Sequence, residues 1–120
     1  MTPAMRDVVD RLKGKRFSLS NEKQCQNEIE EVFKADRWLS YEREVRISGG
    51  VIDFVVGFGE AAGLEIKLKG APADIRRQLV RYAAEPRVAG LVLVTAKPVG
   101  LPALLRGKPV HEFDLSRAWL

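Results

Sequence analysis

The sequence predicts an α/β protein, a mixed sheet flanked by helices, with elements in the order α-α-β-β-β-α-β-α-β. Three observations carry this. Residues 41–69 hold three short strand-like runs divided by glycine turns. Stretches with helical spacing of apolar residues lie before and after them. A nearly unbroken apolar run, GLVLVTA (90–96), follows the later helical stretch. A strand reached across a helix pairs by a crossover, so this one should lie parallel to a central strand.

Taken in order, residues 4–13 (AMRDVVDRLK) read as a short amphipathic helix, and GKRFSLSN as a loop. Ser20 is the candidate N-cap of a second helix running to about Arg37. Cys25, Ile29, Val32 and Phe33 form its apolar stripe. In YEREVRI (41–47), Tyr41, Arg43, Val45 and Ile47 alternate with Glu42, Glu44 and Arg46, the pattern of a half-exposed strand. Gly49-Gly50 is a turn. VIDFVV (51–56) is a second strand, GFGEAAG a second turn, and LEIKLK (64–69) a third strand, so residues 41–69 form a meander. Pro72 suits the first turn of a helix that continues to about Glu85 and is stopped by Pro86. LPALLRG is expected to be a short helix or turn, and KPVHEFDL an edge strand.

A chain of 120 residues is one domain that buries a real core without help from a disulfide or a structural metal. Residues 1–19 read as an N-terminal helix and loop, and 20–120 as the body of the domain. The single cysteine, Cys25, excludes an internal disulfide, and its place beside Ile29 predicts buried packing. With one histidine, His111, there is no zinc-ligand pattern. No apolar run is long enough to span a membrane, and the N-terminus has no signal-peptide apolar region, so a cytoplasmic protein is expected. The net charge of +4 favours a polyanionic partner only weakly.

The informative feature is the charge inside the strands. By alternation, Asp53 shares a face with Val51 and Val55, while Ile52, Phe54 and Val56 take the other. Both faces are apolar, so the strand should be covered on both sides. An unpaired carboxylate there is very costly and has to be paired, hydrogen-bonded or metal-bound. In LEIKLK, Glu65, Lys67 and Lys69 share one face. If strands two and three pair across their turn, Asp53 and Glu65 come side by side. Two neighbouring carboxylates raise each other's pKa, and a divalent cation removes the conflict. Carboxylate oxygens suit Mg²⁺ or Mn²⁺.

Asp53 followed by Glu65-Ile66-Lys67 resembles the D…E-x-K signature of the PD-(D/E)XK nuclease superfamily, with Ile52 where the family's name-giving motif has proline. The helix, meander, helix, strand order around it is similar too. Gly50-Val51-Ile52-Asp53 resembles the G-x-h-D motif of the RecB-like branch. Gln78-Leu79-Val80-Arg81-Tyr82 resembles its Q-h-x-x-Y motif. The resemblance covers roughly residues 20–97. It implies a restriction-endonuclease-like fold and a metal-dependent nuclease, with DNA favoured over RNA as the partner.

The resemblance further implies that Asp53, Glu65 and the Ile66 carbonyl ligate Mg²⁺ or Mn²⁺. Lys67 then positions the attacking water or balances charge. A glutamate on the first core helix often joins the metal set. Glu22 is our choice, because it lies along the Ile29 and Phe33 stripe, with Glu28 as the alternate. Glu22 would otherwise serve the helix dipole. Glu44 either supports the site or is exposed. Gln78 and Tyr82, four apart on one helix face, would steady the catalytic strand and orient the nucleic acid. Arg77 and Arg81 are candidate phosphate contacts. The alternative on the same resemblance is a catalytically silent subunit that binds nucleic acid or a partner protein. A generic interaction domain with its acids in surface salt bridges is a third. At this size no separate recognition domain is expected, and specificity is expected to come from loops, a homodimer or a partner protein.

Overall fold

The computed structural model describes residues 1–120. Three helices, α1 (Pro3–Leu12), α2 (Glu22–Lys34) and α3 (Pro72–Ala83), accompany six strands. The strands are β1 (Tyr41–Ile47), β2 (Gly50–Val56), β3 (Ala61–Lys67), β4 (Val88–Thr95), β5 (Leu104–Leu105) and β6 (Lys108–Asp114). They form one mixed sheet in the order β1-β2-β3-β4-β6-β5. β1, β2 and β3 are the expected antiparallel meander, and β4 lies parallel to β3, as a crossover through α3 requires. No helix is long and apolar enough to cross a membrane.

Each helix begins where the local chemistry supplies acceptors or removes donors. Thr2 Oγ1 accepts from the Met5 N–H, and Pro3 fills the first position of α1. α2 is capped by Asn21, whose Oδ1 accepts from the Gln24 N–H at 2.9 Å, one residue later than the expected Ser20. It stops at Lys34 rather than Arg37. Asp36 turns its carboxylate back onto the Trp38 N–H and pairs with Arg11 of α1, and that local bonding competes with another helical turn.

The helices cover opposite faces of the sheet. α1 and α2 bury Met5, Val8, Leu12, Ile29 and Phe33 against Phe54, Leu64, Ile66, Val92 and Val94. Cys25 lies fully buried in this layer, and burial first, then the nearby carboxylates of Glu28, Glu22 and Asp53, push its thiol up to about 12. α3 buries Ile75, Leu79, Tyr82 and Ala83 against Ile52, Val55, Leu91 and Leu93. Residues 1–19 are thus part of the core, with α1 seated on β3 and β4.

Several boundaries differ from expectation. β3 starts three residues early, at Ala61, because Ala61, Ala62 and Gly63 are small enough to lie fully buried beside β4. A Cβ on Gly63 would stand 2.9 Å from Leu91 Cδ2. LPALLRG is neither helix nor simple turn. Leu104–Leu105 form β5, and Arg106-Gly107, with φ of +50° and +78°, make the two-residue turn into β6. Positive φ at both central residues matches the twist of a tight hairpin. β6 is therefore flanked on both sides, parallel to β4 and antiparallel to β5.

Candidate active site

Strict alternation fails in β2, and the failure builds the site. Phe54 and Val56 face α1 and α2, but Ile52 joins Val55 on the α3 side. β1 changes sides at the same level. Tyr41 packs with the α2 layer and Arg43 lies over the Phe54 ring, whereas Val45 and Ile47 pack on the α3 side. The β1–β2 ladder runs from Tyr41↔Val56 to Ile47↔Gly50 and lacks only the step at Glu44 and Asp53. Glu44 has φ of +54°, a left-handed conformation uncommon for a residue with a side chain. The ribbon turns over at this step, which corrects the expectation that Ile52 shares a face with Phe54 and Val56.

β2 and β3 separate at the same place. Their ladder pairs Val56↔Ala62, Val55↔Gly63 and Phe54↔Leu64 and then ends. The next pair would be Asp53 and Glu65, whose side chains bridge the strands instead. The Asp53 N–H donates to Glu65 Oε1 at 3.1 Å, and the Ile66 N–H donates to Asp53 Oδ2 at 2.8 Å. Each carboxylate satisfies a backbone donor that the parting strands leave open. Each keeps its second oxygen, Asp53 Oδ1 and Glu65 Oε2, and Lys67 Nζ lies 3.8 Å from the latter.

The electrostatics of this crossed pair are unfavourable. Glu65 is 3% exposed. Burial, then the charge of Asp53, push its carboxyl up to about 8, with the Asp53 N–H and Lys67 pulling the other way. Burial also raises Asp53, against the Ile66 N–H and Lys67. Burial and the neighbouring acid therefore favour the protonated form of Glu65. A bound cation could take that proton's place, and two half-free carboxylate oxygens in a desolvated gap are the donor set that Mg²⁺ or Mn²⁺ accepts.

Glu22 comes to the same region as the first residue of α2. Its Oε1 accepts from the Leu68 N–H at 2.9 Å, just past β3, and its charge contributes to raising Asp53. That oxygen is engaged by the backbone, and Glu22 Oε2 is left as its second oxygen. Glu28 accepts from the Ser18 N–H at 2.7 Å and holds the loop before α2. Glu44 is exposed and pairs with Lys23 at 3.3 Å.

Gln78 and Tyr82 support the pair from α3. The buried Tyr82 hydroxyl donates to the Val51 carbonyl at 2.7 Å, and Gln78 Nε2 donates to that hydroxyl at 2.8 Å. This fixes β2 two residues before Asp53. Gly50 permits it, because its φ of +138° is a conformation that residues with a side chain rarely adopt. Arg81 donates to the Gly49 carbonyl at 3.3 Å, and Arg77 pairs with Asp74, so both arginines already have partners on the chain's surface.

Sequence reasoning passed over Lys97 and Glu112. Glu112 accepts from the Val99 and Leu101 N–H groups and ties down the loop after β4. The signal was an acid among strand residues, as at Asp53, but KPVHEFDL, with Lys108, His111 and a second acid, Asp114, is too polar for it to stand out. No family model matches the chain, and no match is found among curated proteins or solved structures.

Proposed function

We propose that the chain is a divalent-cation-dependent nuclease of the restriction-endonuclease-like fold, hydrolysing phosphodiester bonds, with DNA as its substrate. The observation that carries this reading is the crossed pair of Asp53 and Glu65 in the gap between β2 and β3, with Lys67 at its edge. The order α2-β1-β2-β3-α3-β4 supports it, being the order the resemblance implies. Acids in surface salt bridges would suit an interaction domain, but Glu65 is buried against a second acid.

Asp53 and Glu65 would hold Mg²⁺ or Mn²⁺, with Glu22 and the Ile66 carbonyl as further ligands on the resemblance. The cation, when bound, lowers the pKa of a water and offsets charge on the phosphoryl oxygens. The remaining work falls to the chain. Lys67 offers three N–H donors beside the acids, suited to orienting the attacking water or a non-bridging phosphate oxygen. The backbone donors of Asp53 and Ile66 hold the two carboxylates against their mutual repulsion. Tyr82 and Gln78 keep β2 in register with that arrangement.

The test is incubation of end-labelled single-stranded and duplex DNA with Mg²⁺, Mn²⁺ or EDTA. Cleavage with either cation and none in EDTA is expected. Intact DNA in every cation arm would favour the silent subunit and overturn the assignment.

A further inference from the structure

Lys67 also lines a second feature, at the C-terminal ends of the parallel strands β3 and β4. A pocket of about 350 Å³ opens there between the β3–α3 connection, the start of α3 and the loop after β4. Ligands of open α/β sheets bind outside the carboxyl ends of their strands. Lys67, Lys69 and Lys97 all line it, and none of its ten lining residues is acidic. Lys67 is the only one of the three with an acidic partner, Glu65. All three lysines thus contribute to the lining of one small volume.

The walls are fixed in advance. Thr95 is 2% exposed, and its Oγ1 accepts from the Lys97 N–H at 3.2 Å while donating to the Lys97 carbonyl at 2.6 Å. Glu112 anchors the following turn through Val99 and Leu101. On the opposite wall, Pro72 begins α3 with no side-chain cap on its first turn. The acid of that turn, Asp74, is paired with Arg77, so the dipole end keeps a positive potential.

We propose that this pocket binds the terminal phosphate of a substrate strand, so that the enzyme engages phosphorylated ends. The inference rests on the nuclease reading for its substrate. The charge count selects a terminal group. A phosphate monoester carries close to two negative charges at neutral pH, against one on an internal diester. The volume is at the lower end for small-ligand sites, enough for a phosphate with its nucleoside and too small for a duplex. Lys67, shared by the pocket and the carboxylate pair, places the bound end next to the reacting centre.

The experiment measures binding without cleavage. In EDTA, fluorescence anisotropy compares internally labelled single strands bearing a 5′-phosphate, a 3′-phosphate, or hydroxyls at both ends. The full chain and its Lys69→Ala/Lys97→Ala double variant are run side by side. Both lysines are exposed, so the variant should fold. One phosphorylated end should bind about tenfold more tightly than the hydroxyl-ended strand. The preference should vanish in the double variant and should be competed away by inorganic phosphate. Either end supports the proposal, and the end preferred gives the polarity. Equal affinity for all three strands, or a preference that survives in the double variant, would overturn it. Mg²⁺-dependent cleavage without end preference would sink this inference alone. End preference without cleavage would sink only the nuclease reading.

Discussion

Glu65 and Asp53 stand together in a gap that two apolar side chains could fill at lower cost, since burying like charges side by side destabilises a fold. Strongly perturbed acids cluster at functional sites. The perturbation has a measurable sign. Glu65 is held near 8 in the folded chain against an ordinary 4.5, so the folded state keeps a proton that the unfolded chain releases. Stability from this proton is complete below the unfolded value and is lost as pH rises through about 8. Glu65→Gln stays neutral throughout. In EDTA its melting temperature should match the wild type near pH 5 and exceed it by several degrees near pH 9. A constant difference across that range, followed by calorimetry, would remove the buried acid from the account. The identity of these residues was legible because an acid inside an apolar strand has few structural explanations. Their geometry was not. Nothing in VIDFVV says that each carboxylate accepts the other strand's N–H.

At the scale of elements, the meander was legible from alternation and glycine turns, and exposure along β1 does alternate residue by residue. Alternation says that a side chain is covered, but not from which side. The switch of faces at Glu44 and Asp53 depends on one left-handed residue, and a glutamate in YEREVRI gives no sign of it. Glycine takes that conformation freely and a β-branched residue resists it. Glu44→Gly should therefore be more stable than Glu44→Val by about 1–2 kcal/mol in urea unfolding. Equal stabilities would mean that the left-handed step is not strained. The tie between α3 and β2 is open to a similar test. Tyr82→Phe removes the donor to Val51 and the acceptor for Gln78, both only part-buried, at about 0.5–1.5 kcal/mol. Turnover should fall with it, because β2 carries Asp53. Unchanged stability would show that water replaces the hydroxyl. The sequence pattern of Gln78 and Tyr82 flagged this helix face, and the structure adds the Val51 carbonyl as its target.

At the scale of the molecule, order and class follow from local patterns: periodicity, caps, prolines and one apolar run. What local patterns leave out are pairings between distant segments. β6 beside β4, the two-residue β5 outside it, and Lys97 brought up to Lys67 and Lys69 all depend on how the chain returns across the sheet. Overall charge was equally uninformative. A net +4 spread over a domain says little, whereas three lysines around one pocket next to the buried Glu65 and the half-buried Asp53 give the molecule a polarised edge. The proposed phosphodiester chemistry would use that edge, the carboxylates for a cation and the lysines for the anion. The most direct measurement is the initial rate of Mg²⁺-dependent DNA cleavage by wild type and Asp53→Asn at equal concentration, each confirmed folded by its melting curve. The account predicts a wild-type rate that vanishes in EDTA and a loss of at least about a hundredfold in Asp53→Asn. Wild-type cleavage that persists in EDTA, or an Asp53→Asn protein that cuts at the wild-type rate, would contradict it.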